Sequence, residues 1–123
     1  MTKARASPLY PDGVATAIRY ARDVMSGKLT ACRLVRLTCG RFLDELQDAE
    51  RRRGGWEFRA DLAERAMTFA GLMSNIKGQE AGRPLRLMPW QRLVFANLFG
   101  FVERGTASRR FRQGLIFVPR GYG

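Results

Sequence analysis

The sequence predicts a mainly α chain, with a three-helix preface over residues 1–78 and the beginning of an α/β domain over 79–123. Two observations predict it. Apolar residues recur at helical spacing in three successive stretches, each closed by glycine: Gly27, the Gly54-Gly55 pair and Gly78. Leu115–Val118 then forms a continuous apolar run between Gly114 and Pro119, which is how a strand buried on both faces of a parallel sheet reads. Gly121 and Gly123 follow directly, spaced to let backbone amides approach a ligand closely. A strand entering a glycine-rich turn is the front half of a phosphate-binding loop. The full pattern G-x-x-x-x-G-K-[ST] needs Lys and Ser/Thr directly after Gly123, and this chain has neither.

Taken in order, Met1–Pro11 carries Pro8 and Pro11 without periodicity and reads as a flexible lead-in. Asp12 or Gly13 is placed to cap the first helix, whose stripe is Val14, Ala17, Ile18, Ala21, Val24 and Met25. Thr30 is placed to cap the second, with Leu34, Val35, Leu37, Thr38, Phe42, Leu43 and Leu46 on its buried side. Gly40 weakens that helix by roughly 1 kcal/mol relative to alanine. Its end, Asp48–Arg53, alternates charge and is expected to be solvated. Trp56 and Phe58 read as an apolar clip within a turn. Asp61 begins a third helix through Leu62, Ala66, Met67, Phe69, Ala70, Met73 and Ile76. Methionine and aromatic residues at such spacing form a core far more often than a cofactor box.

Lys77–Met88 is a polar connector in which Leu85–Leu87 suits a short strand. Pro89 fits the first turn of a helix, because its fixed φ is helical and its missing N–H had no partner there. That helix runs to Phe99, is apolar on nearly every side, and is expected to be buried against the sheet. Gly100 ends it. Phe101–Arg112, with Gly105-Thr106 in its middle, reads as an irregular hairpin or loop leading into the final strand.

At 123 residues the chain is at most one small domain. No apolar run approaches the ~20 residues of a membrane span, and no signal-type apolar segment follows the polar N-terminus, so the expected location is cytoplasmic. Cys32 and Cys39 stand without a third cysteine or any histidine, so reduced thiols are expected and a four-ligand zinc site is not. Histidine-based nucleophile pairs are excluded outright. Ser7, Ser26 and Ser108 sit in loops without partners. Glu57, Asp61 and Glu64 read as dipole partners at a helix start.

Net charge is +11 and unevenly spread. Residues 81–123 hold eight arginines against Glu103 alone, a net +7, while the other 80 residues supply +4. A basic segment beside a phosphate loop favours anionic partners, either nucleotide or DNA backbone. The plainer alternative is an arginine-rich genome, with Arg replacing Lys on solvated faces.

Val118-Pro119-Arg120-Gly121-Tyr122-Gly123 resembles the Walker A segment of the large terminase subunits of tailed phages, the DNA-packaging ATPases. That family tolerates a non-glycine first position, held here by Val118, and usually has arginine where Arg120 stands. Tyr20-Ala21-Arg22-Asp23-Val24, Gly27-Lys28, Pro89-Trp90-Gln91, Leu98-Phe99-Gly100 and Arg110-Phe111-Arg112 resemble it too, in the right order. The resemblance implies an N-terminal fragment: a helical preface plus the beginning of an α/β P-loop ATPase domain, truncated within the Walker A loop. The intact parent would hydrolyse ATP with Mg²⁺ and move double-stranded DNA. Its partners would be a small terminase subunit and a portal protein in the host cytoplasm, with no membrane.

By that resemblance Gln91 contacts adenine, whose N6/N7 edge matches the donor and acceptor of a carboxamide. Read from the residues alone, a solvent-facing first-turn glutamine is the plainer choice. Trp90 either borders the base or, more simply, fills core. Arg120 would sense or activate the γ-phosphate, since a guanidinium pairs bidentately with phosphate oxygens; a solvated arginine is the alternative. Gly121 and Gly123 would offer backbone N–H groups to phosphates, while Tyr122 has no role from physics. Arg104, Arg109, Arg110 and Arg112 are expected to meet DNA phosphates. No metal ligand is expected. The Walker Lys, the Mg²⁺-binding hydroxyl, the paired carboxylates and the nuclease residues are missing, so neither ATP nor Mg²⁺ is expected to bind well to this chain alone. Two other classes stay open: a small complete basic helical module that binds nucleic acid or a partner protein, and a fragment of a helicase-like ATPase.

Overall fold

The computed structural model describes residues 10–72 and 86–118. Among them are four α-helices and one two-stranded sheet, in the order α1 (Asp12–Ser26), α2 (Arg33–Glu50), β1 (Trp56–Phe58), α3 (Ala60–Gly71), α4 (Pro89–Gly100) and β2 (Phe101–Glu103). α1 packs on α2, α3 and α4, and α4 also packs on α3. The mainly helical class is the one the periodicity predicts.

α1 buries Val14, Ala17, Ile18, Ala21 and Val24, the stripe read from its spacing. Met25, at the edge of that stripe, is exposed. Gly27 adopts φ 88° and its N–H bonds Val24 O at 3.2 Å, the left-handed helix stop that glycine makes without a Cβ clash. The other end departs from expectation. Pro11 is the N-cap rather than Asp12 or Gly13, and it makes no side-chain capping bond. Glu64 of α3 replaces them, accepting from Val14 N–H at 3.0 Å and Gly13 N–H at 3.3 Å. Gly13 is needed for that approach, since an added Cβ would lie 2.6 Å from Met67 Sδ and 2.7 Å from the Glu64 oxygens.

α2 starts after Cys32 rather than Thr30, without a side-chain cap. It buries Cys39, Phe42 and Leu46, while Leu34 and Leu37 face solvent. The predicted stripe was too wide, and only the part over α1 and β1 became core. α3 starts one residue before Asp61, held by Arg59, which makes two hydrogen bonds to the Asp61 carboxylate at 2.9 and 2.8 Å. Those bonds keep the Asp61 carboxyl below its usual range. The buried face of α3 is Ala63, Met67 and Ala70, and Phe69 is exposed instead. Two alanines flank Met67 on that face, which packs against α1 and α4. Met73, Ile76, Gly78 and Leu85 lie outside the described residues.

Trp56–Phe58 is a strand rather than a clip in a turn. It pairs antiparallel with Phe101–Glu103, in the register Trp56↔Glu103, Glu57↔Val102 and Phe58↔Phe101. The chain then folds back as the irregular hairpin expected of 101–112. Gly105 takes φ 84°, Thr106 Oγ1 donates to Glu103 O at 3.0 Å, and Val102 bridges Arg109. Glu57 accepts from Gly105 N–H at 3.2 Å and so pins the hairpin to β1. Phe42, Phe58 and Phe101 meet edge to face, with centroids 5.0–6.1 Å apart, and join α2 to the sheet. Gly100 admits the Phe58 ring, which an added Cβ would strike.

Two expectations about the second half are corrected. α4 is packed on helices α1 and α3, not on a sheet. Leu115–Val118 forms no ladder with any described residue; Leu115 and Phe117 are exposed and Ile116 and Val118 about half exposed. Among the described residues no helix is long and apolar enough to cross a membrane.

Candidate functional site

The first turn of α4 lies beside the middle of α1. Between them is a cleft of about 250 Å³, whose walls include Arg19, Tyr20, Asp23, Leu29, Met88 and Trp90. The walls are mostly aromatic and aliphatic, with one cation and one carboxylate at hand. Pro89 opens the helix at its first position, and Met88 is the N-cap. The Gln91 side chain turns back along the helix, and its Oε1 accepts from Met88 N–H at 2.8 Å. Gln91 therefore caps its own helix. That role satisfies one of the N–H groups a helix start leaves open, and only the three-residue spacing from Met88 signals it. A carbonyl-type oxygen has a second lone pair, so capping does not use up its acceptor capacity.

The arginines divide into two kinds. Arg104 Nη2 donates to the carbonyls of Gly54 and Trp56, each at 3.0 Å, and to Arg53 O at 3.4 Å. It gathers the loop before β1 and is fixed there. Arg110 pairs with Glu45 of α2 at 3.0 Å, and its guanidinium lies 5.4 Å from the Trp56 ring centroid and 4.8 Å from that of Phe111. This partly buried pair ties the hairpin to α2. Arg109 and Arg112 are exposed, with Arg109 stacked 4.9 Å over Phe99. Arg41 covers Phe111 at 5.2 Å. Of the four arginines expected at DNA, two are thus engaged within the fold and two stand at the surface.

Arg120, Gly121 and Gly123 lie outside the described residues. Among those described, no group of three or more His, Cys, Asp or Glu side chains is arranged to hold a metal. A broader hollow of about 580 Å³ beside α3 includes Pro11, Glu64, Arg65, Phe69 and Leu72, but its Glu64 carboxylate is committed to α1. Sequence reading missed three long-range polar fixtures: Glu64 on α1, Arg104 on the 53–56 loop, and Glu45 on Arg110. Each joins residues far apart in the chain, and no local pattern marks them.

Together these features define a helical module with a small antiparallel lock, an aromatic cleft at one helix start and a basic edge. The chain matches no protein-family model, no curated protein and no solved structure.

Proposed function

We propose that this chain is the N-terminal part of a large terminase subunit of a tailed phage. It would supply the helical preface and the beginning of the P-loop ATPase domain that drives double-stranded DNA into a capsid. One observation carries this reading. Tyr20 and Asp23 of one stretch that resembles the family, and Pro89 and Trp90 of another, line a single cleft between α1 and α4, with Gln91 next in sequence to Trp90.

In this reading the cleft borders the adenine of ATP. Tyr20 and Trp90 offer flat apolar walls, and a base is a flat π-system that stacks on such surfaces. Gln91 Oε1 keeps its bond from Met88 N–H and accepts the adenine amino group with its second lone pair, while its amide N–H donates to the neighbouring ring nitrogen. Helix capping and base contact are then compatible, and the cap holds the carboxamide in one orientation. Gly121 and Gly123 would donate backbone N–H groups to phosphates, with Arg120 against the γ-phosphate. ATP with Mg²⁺ supplies the phosphoryl chemistry in the intact motor, which needs a Lys and a hydroxyl after Gly123. Arg109 and Arg112 are the side chains placed to meet DNA phosphates.

The nucleotide sequence directly 3′ of the Gly123 codon tests the reading. A Lys codon followed by Ser or Thr, in frame or one frameshift away, is expected, with an apolar strand ending in paired acids farther on. If no frame encodes these, the terminase reading fails.

A further inference from the structure

Beside its buried stripe, α1 carries a second one that lines the cleft. Thr16, Tyr20 and Asp23 recur at helical spacing, and Arg19 stands one turn before Asp23 on the same face. The rest of the lining is apolar, with Pro89 and Trp90 at the start of α4. Asp23 is half-buried there. The hydrogen bonds it receives, from Ser26 Oγ at 3.2 Å and Leu29 N–H at 3.1 Å, both go to its backbone oxygen. Among the described residues no hydrogen bond or ion pair engages its carboxylate, although Arg19 is within one turn. A half-buried carboxylate in a mostly apolar cleft calls for hydrogen-bond donors.

We propose that Asp23 and Arg19 hold the ribose diol of a nucleoside whose base lies against Trp90. This rests on the reading of the cleft as an adenine site and adds the sugar to it. A carboxylate and a guanidinium side by side suit a neutral group that both donates and accepts. A hydroxyl has one donor and two acceptor sites, so a diol gives its protons to Asp23 and accepts from Arg19. A cationic ligand meets Arg19 and a phosphate meets Asp23, and each is opposed by the like charge. Arg22, the next cation along α1, is exposed and outside the cleft lining. A volume of about 250 Å³ lies below the roughly 300–1,000 Å³ of sites for drug-sized ligands, so base and sugar fill the cleft and phosphates lie outside it. A free hexose offers the same diol but no flat π-face for Trp90.

The test follows the indole N–H of Trp90 by NMR of the nitrogen-labelled whole chain, with Trp90→Phe to assign it. Adenine, adenosine, 2′,3′-dideoxyadenosine and glucose are titrated at millimolar concentrations. Adenosine is expected to move the signal saturably, and the dideoxy nucleoside to bind about tenfold more weakly, as for lost hydrogen bonds to a charged group. In Asp23→Ala, adenosine should weaken about tenfold and the dideoxy nucleoside stay unchanged, which closes the gap between them. Asp23 is only half-buried, so circular dichroism of that variant should match the parent. Equal binding of the two nucleosides to the parent overturns the ribose contact and leaves the base in its cleft. Equal weakening of both in Asp23→Ala also overturns it, since a merely structural Asp23 acts that way. If neither adenine nor any nucleoside moves Trp90, the adenine reading falls and the ribose contact with it. Glucose that moves Trp90 as readily as adenosine overturns the nucleoside as the source of the diol.

Discussion

Glu64 caps a helix that is not its own: its carboxylate accepts from Val14 N–H at 3.0 Å, closing the first turn of α1 from the side of α3. The N-cap of α1 is Pro11, which offers no side-chain acceptor, so two of the open N–H groups fall to Glu64, which joins Asp12 of the first turn at the positive helix end. Glu64→Ala is expected to cost about 1–2 kcal/mol in urea denaturation, the range of a lost cap. Glu64→Gln, which keeps an acceptor and loses the charge, should cost less, about 0.3–1 kcal/mol. Identical midpoints for the parent and Glu64→Ala would sink the capping role.

Gly100 and Phe58 occupy the same kind of tight joint. The helix end must let the Phe58 ring reach Phe101 and Phe42, and an added Cβ at position 100 would enter that ring. In Gly100→Ala the gain in helix propensity, about 1 kcal/mol, works against an overpacking cost of about 1–3 kcal/mol. The clash should win because the ring is held edge to face on two sides. A lowered melting temperature with reduced near-ultraviolet dichroism is expected. A variant as stable as the parent would show that the ring moves aside freely.

The sequence made α1 legible almost residue by residue, because a helix buried along one stripe repeats its signal every turn. Gly27 and Pro89 were legible for a related reason: each has a backbone geometry that fits few other places. The width of the α2 stripe was not. Leu34 and Leu37 fit a helical period as well as Phe42 does, and only the position of α1 decides which are covered. Strand β1 was hidden for the opposite reason, since three residues are too few to show an alternation. Trp90 lies in a stretch read by its resemblance to a family, whereas its lining one cleft together with Tyr20 needed the packing of α1 on α4.

Arginine substitutions should separate into two classes. Arg109→Ala and Arg112→Ala remove exposed cations, so each should reduce the salt slope of duplex-DNA binding by about 0.9 per lost phosphate contact; Arg112→Ala should leave stability unchanged and Arg109→Ala should cost no more than about 1 kcal/mol, the worth of its stacking on Phe99. Arg104→Ala leaves three carbonyls without their shared donor and is expected to cost about 1.5–3 kcal/mol, the range of charge-assisted hydrogen bonds. Filter binding across a salt series, paired with denaturation, distinguishes them. Arg109→Ala and Arg112→Ala proteins that keep the full slope would remove this edge from the DNA surface.

The two thiols should differ in reactivity. Cys32 is exposed and Cys39 is buried, and burial raises the Cys39 thiol above its ordinary value against a smaller opposing effect of Arg36. Native protein is expected to lose Cys32 to iodoacetamide while Cys39 reacts only on unfolding. The raised value also has a sign for stability. The fold favours the protonated thiol, so this contribution is complete below the unfolded thiol pKa of about 8.5 and is lost as pH rises through the folded value. Melting temperature should therefore fall more steeply above about pH 8.5 in the parent than in Cys39→Ala. Parallel pH profiles would contradict it.

Leu115–Val118 carries the sharpest expectation. Leu115 and Phe117 are 82% and 84% exposed, while Ile116 and Val118 are about half covered. That alternation is the two-residue period of an extended segment with one side turned toward the protein. Its start is held close to α4, since a Cβ at Gly114 would lie 3.2 Å from Leu98 Cδ2. Full burial of four such side chains is worth about 6–12 kcal/mol, comparable to the ~5–15 kcal/mol that holds a domain together. An unladdered apolar segment of this kind should therefore recruit another chain. Sedimentation is expected to show association that grows with concentration and is suppressed by Leu115→Lys/Phe117→Lys. In dilute monomer, hydrogen exchange should be fast at 115–118 and slow across the buried stripe of α1. Slow exchange at 115–118 in a confirmed monomer would mean that the chain pairs this segment itself, and the expected association would fail with it.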